Sequence, residues 1–150
     1  RQALIKFAHR VIAMNISQAA RITGLSSKTI RDYEQAGLIA APERGANGYR
    51  HYTTEHIDTL HFIKHAREVD FSLAQIAELL ALRNNPGRAS ADVKALVGEH
   101  IHTLQQKIAR LRAMETTLAA WHARCHGNSS PDCAIIEQLN EHTAKSSQLG

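Results

Sequence analysis

From Ser90 to about His122 the chain has no proline and a single glycine, and its apolar residues fall on a heptad. Val97, Leu104, Leu111 and Leu118 stand seven apart, and Ile101 and Ile108 fill the alternate seam. This periodicity predicts one amphipathic helix of about 33 residues, roughly 50 Å long at 1.5 Å per residue. The rest of the chain offers too few partners to bury such a seam, so pairing with a second copy is the economical solution and a coiled-coil homodimer is expected. Seven past Leu118 the count lands on Cys125. The only other cysteine is Cys133, so the pair opens where the dimer helix ends, and whatever thiol chemistry it performs is tied to the subunit interface.

The stretch before the long helix is punctuated differently. In "MNISQAARITGLSSKTIRDYEQAGLI", from Met14, Ser17 is placed to cap a short helix through Ile22, Gly24 ends it, and Ser26 caps a second helix that stops at Gly37. A helix, a tight turn and a helix, with Lys28, Arg31 and Tyr33 on the second, suit a recognition helix in a major groove. In "LIAAPERGANGYRHYTT", Pro42 and the Asn47–Gly48 pair mark a turn between two extended pieces, predicting a hairpin wing. Arg44, Tyr49 and Arg50 on that wing are side chains of the kind that grip sugar-phosphate backbone, while Tyr52 is left to the core. Thr53 then caps a helix to about Glu68, Ser72 with Gln75 opens another, and Asn84 to Gly87 break the chain.

At 150 residues and 43% hydrophobic content the chain can bury a core as one domain or two small ones. No apolar run approaches the 18 or so residues of a membrane span. The formal charge of +4 owes +3 to Arg1, Lys6 and Arg10, leaving +1 for residues 14–150, so phosphate binding has to come from local clusters of Arg and Lys. Two cysteines are too few for a secreted disulfide scaffold, and a reducing cytoplasm is the expected compartment. No nucleophile–base pair, phosphate-cradling glycine loop or paired carboxylates point to an enzyme.

These pieces together resemble the MerR-type transcription regulators, and within them the CueR-type copper-efflux group. The resemblance is carried by "MNISQAARITGLSSKTIRDYEQAGLI", "ANGYRHY", "SADVK", and Cys125 to Cys133 followed by "AII", and it covers about residues 14 to 139. Two departures stand out: Asp32 takes the place of an aromatic or larger residue, and the tail lacks the Cys-Cys-His-His cluster of some relatives. The fold it implies is mainly α. Residues 1–13 are an upstream extension, 14–83 a winged helix-turn-helix domain, 84–89 a linker, 90–122 the dimerisation helix of an antiparallel coiled coil, 123–139 a metal-binding loop with a short helix, and 140–150 a tail. The function implied is that of a homodimer that holds promoter DNA with and without metal, and distorts it on metal binding so that RNA polymerase engages both promoter elements.

Two thiolates suit a soft monovalent ion that accepts two donors, whereas zinc prefers four ligands, so Cu(I) is the expected inducer, with Ag(I) and Au(I) as chemical equivalents. Divalent-sensing relatives carry a cysteine from the other subunit where this chain has Ser90. A bis-thiolate complex of a monovalent ion keeps one negative charge, which the N-terminus of the long helix and Lys94, one turn after Ser90, would offset. Three other readings remain open on the residues alone. They are a Zn(II) site using His122 and His126, a thiol redox switch through a Cys125–Cys133 disulfide, and a metal-buffering protein.

Overall fold

A computed structural model describes residues 13–141, so the expected upstream extension through residue 12 and the tail from residue 142 lie outside the described residues. The described chain divides into two compact units, one ending at Val93 and the other beginning at Lys94.

The first unit opens with α1, Ile16–Thr23. Its N-cap is Asn15, not Ser17: the Asn15 side chain accepts from the Gln18 amide and the Gln18 side chain accepts from the Asn15 amide, a reciprocal box that starts the helix two residues earlier than expected. Gly24 closes it at φ 73°, a left-handed conformation that glycine adopts without penalty. Ser26 caps α2, Ser27–Gln35, by accepting from the Thr29 amide at 3.0 Å. Apolar side chains repeat on one face of these two helices, so Ala19, Ile30 and Tyr33 turn inward.

Beyond α2 the chain forms the wing. β1, Glu43–Arg44, pairs antiparallel with β2, Arg50–His51, placing Glu43 opposite His51 and Arg44 opposite Arg50. The turn closes through the Gly48 amide on the Gly45 carbonyl and the Gly45 amide on the Tyr49 carbonyl, both 2.9 Å. Tyr52 continues the strand as a two-way bridge to Met14, with N–O distances of 2.9 and 2.7 Å, and its ring is fully buried. The first described turn of the chain is thereby sewn to the base of the wing.

Two more helices complete this unit. α3, Thr54–Glu68, starts at Thr53, where the His56 imidazole accepts the Thr53 amide through Nδ1 and leaves Nε2–H to donate to the Ala40 carbonyl at 3.0 Å. That one histidine fixes both the helix start and the approach to the wing. α4, Leu73–Arg83, carries the expected Ser72–Gln75 box. Leu60, Ile63 and Ile76 fill the centre with Ile30 and Tyr52.

α5 is Ser90–Arg124, two residues longer than expected at its C-terminal end, and α6 is Ala134–Asn140. The heptad seam of α5 is uncovered in the single chain, with Leu111 62% and Leu118 57% exposed and Ile101 and Ile108 about half exposed. No described helix is long and apolar enough to cross a membrane.

Candidate nucleic-acid interface and metal centre

In the first unit, Arg31 from α2 and Arg44 and Arg50 from the wing line one concavity of about 260 Å³ with Asn15, Ile16, Gly48 and Tyr49. Tyr49 is 70% exposed at its rim. Three arginines line one recess on a chain whose overall charge is small, with Glu34 beside Arg50, a local cluster of the kind that phosphate binding draws on. The expected contacts Arg31, Arg44, Tyr49 and Arg50 thus converge.

Tyr33 does not join them. It is only 8% exposed, because three residues on from Ile30 it falls on the same inward face of α2. Its role is packing, and the expected DNA contact through Tyr33 is withdrawn for that reason. Lys28 is exposed but holds Asp32 at 3.0 Å, one turn along the same helix. Asp32 therefore occupies a cation on the exposed face of α2. Asp32→Asn should release Lys28 and remove a charge that repels phosphate. DNA affinity at low salt is expected to rise roughly threefold to tenfold, and the slope of log affinity against log salt to steepen by about 1. Fluorescence anisotropy over a salt series checks this, and an unchanged slope would show that Lys28 never reaches a phosphate.

Glu34 was not singled out from the sequence. Its carboxylate lies 3.7 Å from Arg50 Nε and accepts from the Tyr52 hydroxyl at 3.5 Å, linking the recognition helix to the wing. Burial, then the Glu34 charge, push the Tyr52 phenol above its ordinary range, with Arg50 and Arg31 pulling the other way. The local sequence around Glu34 carries no sign of this role, since the partners are 16 and 18 residues away in sequence.

In the second unit the two cysteines meet. Cys125 follows the last turn of α5, its amide bonded to the His122 carbonyl at 3.3 Å, and Cys133 is the N-cap residue of α6. The polar loop between them turns at Gly127, φ 63°, and is braced by Asn128 accepting from the Ser130 amide and Ser130 accepting from the Asp132 amide. The Sγ atoms stand 3.6 Å apart, too far for the bond of about 2.05 Å in a disulfide. Both thiols are half-buried. His122 and His126 are exposed, and among the described residues no three His, Cys, Asp or Glu side chains come together as a metal-binding group. The structure thus brings these two sulfurs together. Ser90 is the first residue of α5 and Lys94 is exposed a turn later; within one chain Lys94 is about 46 Å along the helix from Cys125.

Cys133 makes no side-chain capping bond, yet the first-turn amide of Ile136, the Cys125 thiol and the amide of Ile135 together hold its pKa below the ordinary thiol value. A lowered pKa keeps more thiolate as pH falls toward neutrality. Limiting iodoacetamide under reducing, metal-free conditions should therefore label Cys133 readily at pH 7, its rate reaching half-maximum at lower pH than that of an ordinary thiol. Peptide mass spectrometry across pH reads this out; a rate curve matching a free thiol's would contradict it.

A helix-turn-helix with a wing, a cationic recess between them and a long helix with an open seam define a DNA-binding regulator of transcription, not an enzyme. The chain belongs to the MerR family: the model for the MerR HTH family regulatory protein matches residues 14–82, and that for MerR, DNA binding, matches residues 57–121. Among its relatives, a probable heavy metal-dependent transcriptional regulator of Haemophilus influenzae is 51% identical over 127 residues, covering 85% of this chain and 99% of that one. The HTH-type transcriptional regulator CueR of Escherichia coli O157:H7 is 46% identical over 127 residues, covering 85% and 94%. Of solved structures, the transcription regulator PbrR691 from Ralstonia metallidurans CH34 in complex with lead(II) superposes with a TM-score of 0.74 at 33% identity, covering 84% of this chain and 98% of that one.

Proposed function

We propose that this chain is a Cu(I)-responsive regulator, acting as a homodimer that distorts promoter DNA to activate metal-efflux genes. The observation that carries the reading is the Cys125–Cys133 pair, two sulfurs 3.6 Å apart with no third ligand beside them among the described residues. A soft monovalent ion is content with two thiolates, and Ag(I) and Au(I) share that chemistry, whereas Zn(II) lacks two of its usual four ligands here. The lowered pKa of Cys133 favours the thiolate that such an ion takes. Relatives named as heavy metal-dependent and CueR regulators support the same reading.

The partner copy completes the arrangement. Antiparallel pairing of two α5 helices along the exposed Val97–Leu118 seam would bring Ser90 and Lys94 of one subunit toward the cysteine loop of the other, where Lys94 offsets the complex's remaining negative charge. Arg31, Arg44 and Arg50, with Lys28 and Tyr49, hold the DNA in both states, and bound metal shifts the balance between two DNA shapes whose energies differ by a few kcal/mol. RNA polymerase then engages the reshaped promoter in the cytoplasm.

The test is an anaerobic titration of the full chain with buffered Cu(I) and separately with Zn(II), reading stoichiometry and transcription from a promoter with an over-long spacer. One Cu(I) per subunit that activates, with Zn(II) inert, is the expected result. Activation by Zn(II) that needs His122 and His126 would replace this reading with a four-ligand site. Activation by an oxidant without metal would replace it with a disulfide switch, for which the adjacent sulfurs are the structural ground.

A further inference from the structure

We propose that α3 carries a second metal site, a chelate of His61 and His65 that takes a divalent ion of borderline softness such as copper(II), nickel(II) or zinc(II). The two imidazoles are one turn apart, and their rings lie nearly parallel, 24° between planes and 6.4 Å between centroids. Side chains at i and i+4 share one helix face, the spacing at which two imidazoles can ligate a single ion from the same side. That cis approach suits ions that bind neighbouring nitrogens and fill their remaining positions with water. It does not suit a linear two-donor ion, so the site complements the thiol pair instead of duplicating it.

The charges around the pair favour a cation. Asp58 precedes His61 by three residues and Glu68 follows His65 by three, which sets an acid at each end of the same stripe. The two nearby cations on this helix are turned elsewhere: Lys64 donates to the Thr23 carbonyl at the end of α1, 2.9 Å, and Arg67 to the Phe71 carbonyl beyond the helix, 2.8 Å. His65 is exposed and His61 half-buried, so water and ions reach the pair. An ion there would pin one turn of the helix on which Lys64 anchors α1. Its effect is on the firmness of the DNA-binding unit, separate from the cysteine switch.

The experiment uses the full chain with Cys125→Ser and Cys133→Ser, which keeps thiols from capturing or reducing the ion. Substoichiometric copper(II) should broaden amide resonances of residues 58–68 first. Nickel(II) affinity should fall about 100-fold in His61→Gln and equally in His65→Gln, with little further loss in the double variant, because one imidazole alone lacks the chelate's effective concentration. Circular dichroism checks folding, and the exposed His65 variant serves if His61→Gln unfolds. Broadening that begins at His122, His126 or another histidine overturns the site, as does a binding loss in which each single variant removes only half.

Discussion

Serine in place of Cys133 is expected to abolish metal-induced transcription while operator binding stays within about twofold of the parent. Among the described residues no third His, Cys, Asp or Glu joins the two sulfurs as a metal-binding group, so removing one leaves a lone thiol for the ion. Chelation by a pair exceeds single-donor binding through effective concentration, and loss of either sulfur should weaken Cu(I) binding at least about 100-fold. The arginines that line the recess belong to the other compact unit, and their contribution should be additive with that of this substitution. Cys125→Ser should behave alike. Competition with a Cu(I) chelator gives the affinity, and run-off transcription gives the output. Full induction in both variants would remove the cysteine pair from the switch altogether.

Leu111→Glu is expected to separate the subunits. Leu111 lies mid-seam between Leu104 and Leu118, and a carboxylate there would be buried in an apolar interface that cannot solvate it. A monomer grips one half-site, loses the gain from two linked contacts, and should bind operator roughly 100-fold more weakly. Gln106→Glu adds the same charge on the opposite face of α5 and should leave the dimer intact. Sedimentation equilibrium with anisotropy distinguishes the two. A Leu111→Glu dimer of unchanged affinity would mean that the uncovered seam is not the subunit interface.

The elements were legible because each is written in local chemistry. Ser26, Thr53 and Ser72 cap where their hydroxyls were expected to, Gly24 ends α1, and the Asn47–Gly48 turn folds the wing. Even the miss at α1 was local: Asn15 and Ser17 are both good caps, and the reciprocal bond with Gln18 decided for Asn15. The heptad made the long helix plain, since its period survives without knowledge of any partner.

The candidate sites divide along the same line. Their membership was mostly readable from residue type, because arginines beside a turn and two cysteines after a heptad are chemical choices visible in a string. Which side chains share a space was not. The residue type of Tyr33 suits a DNA contact, but the rotation of α2 turns it inward beside Ile30, and nothing in the string marks Glu34 as the residue that the wing sets against Arg50 and Tyr52. His61 and His65 lay unnoticed among ten histidines, since only the ring geometry and the diversion of Lys64 and Arg67 set them apart. By itself the sequence determined the helices, the wing and the family, whose marks are local patterns of residues. Tertiary structure alone decided which faces turn inward and which distant charges meet, because those depend on long-range packing that no local pattern records.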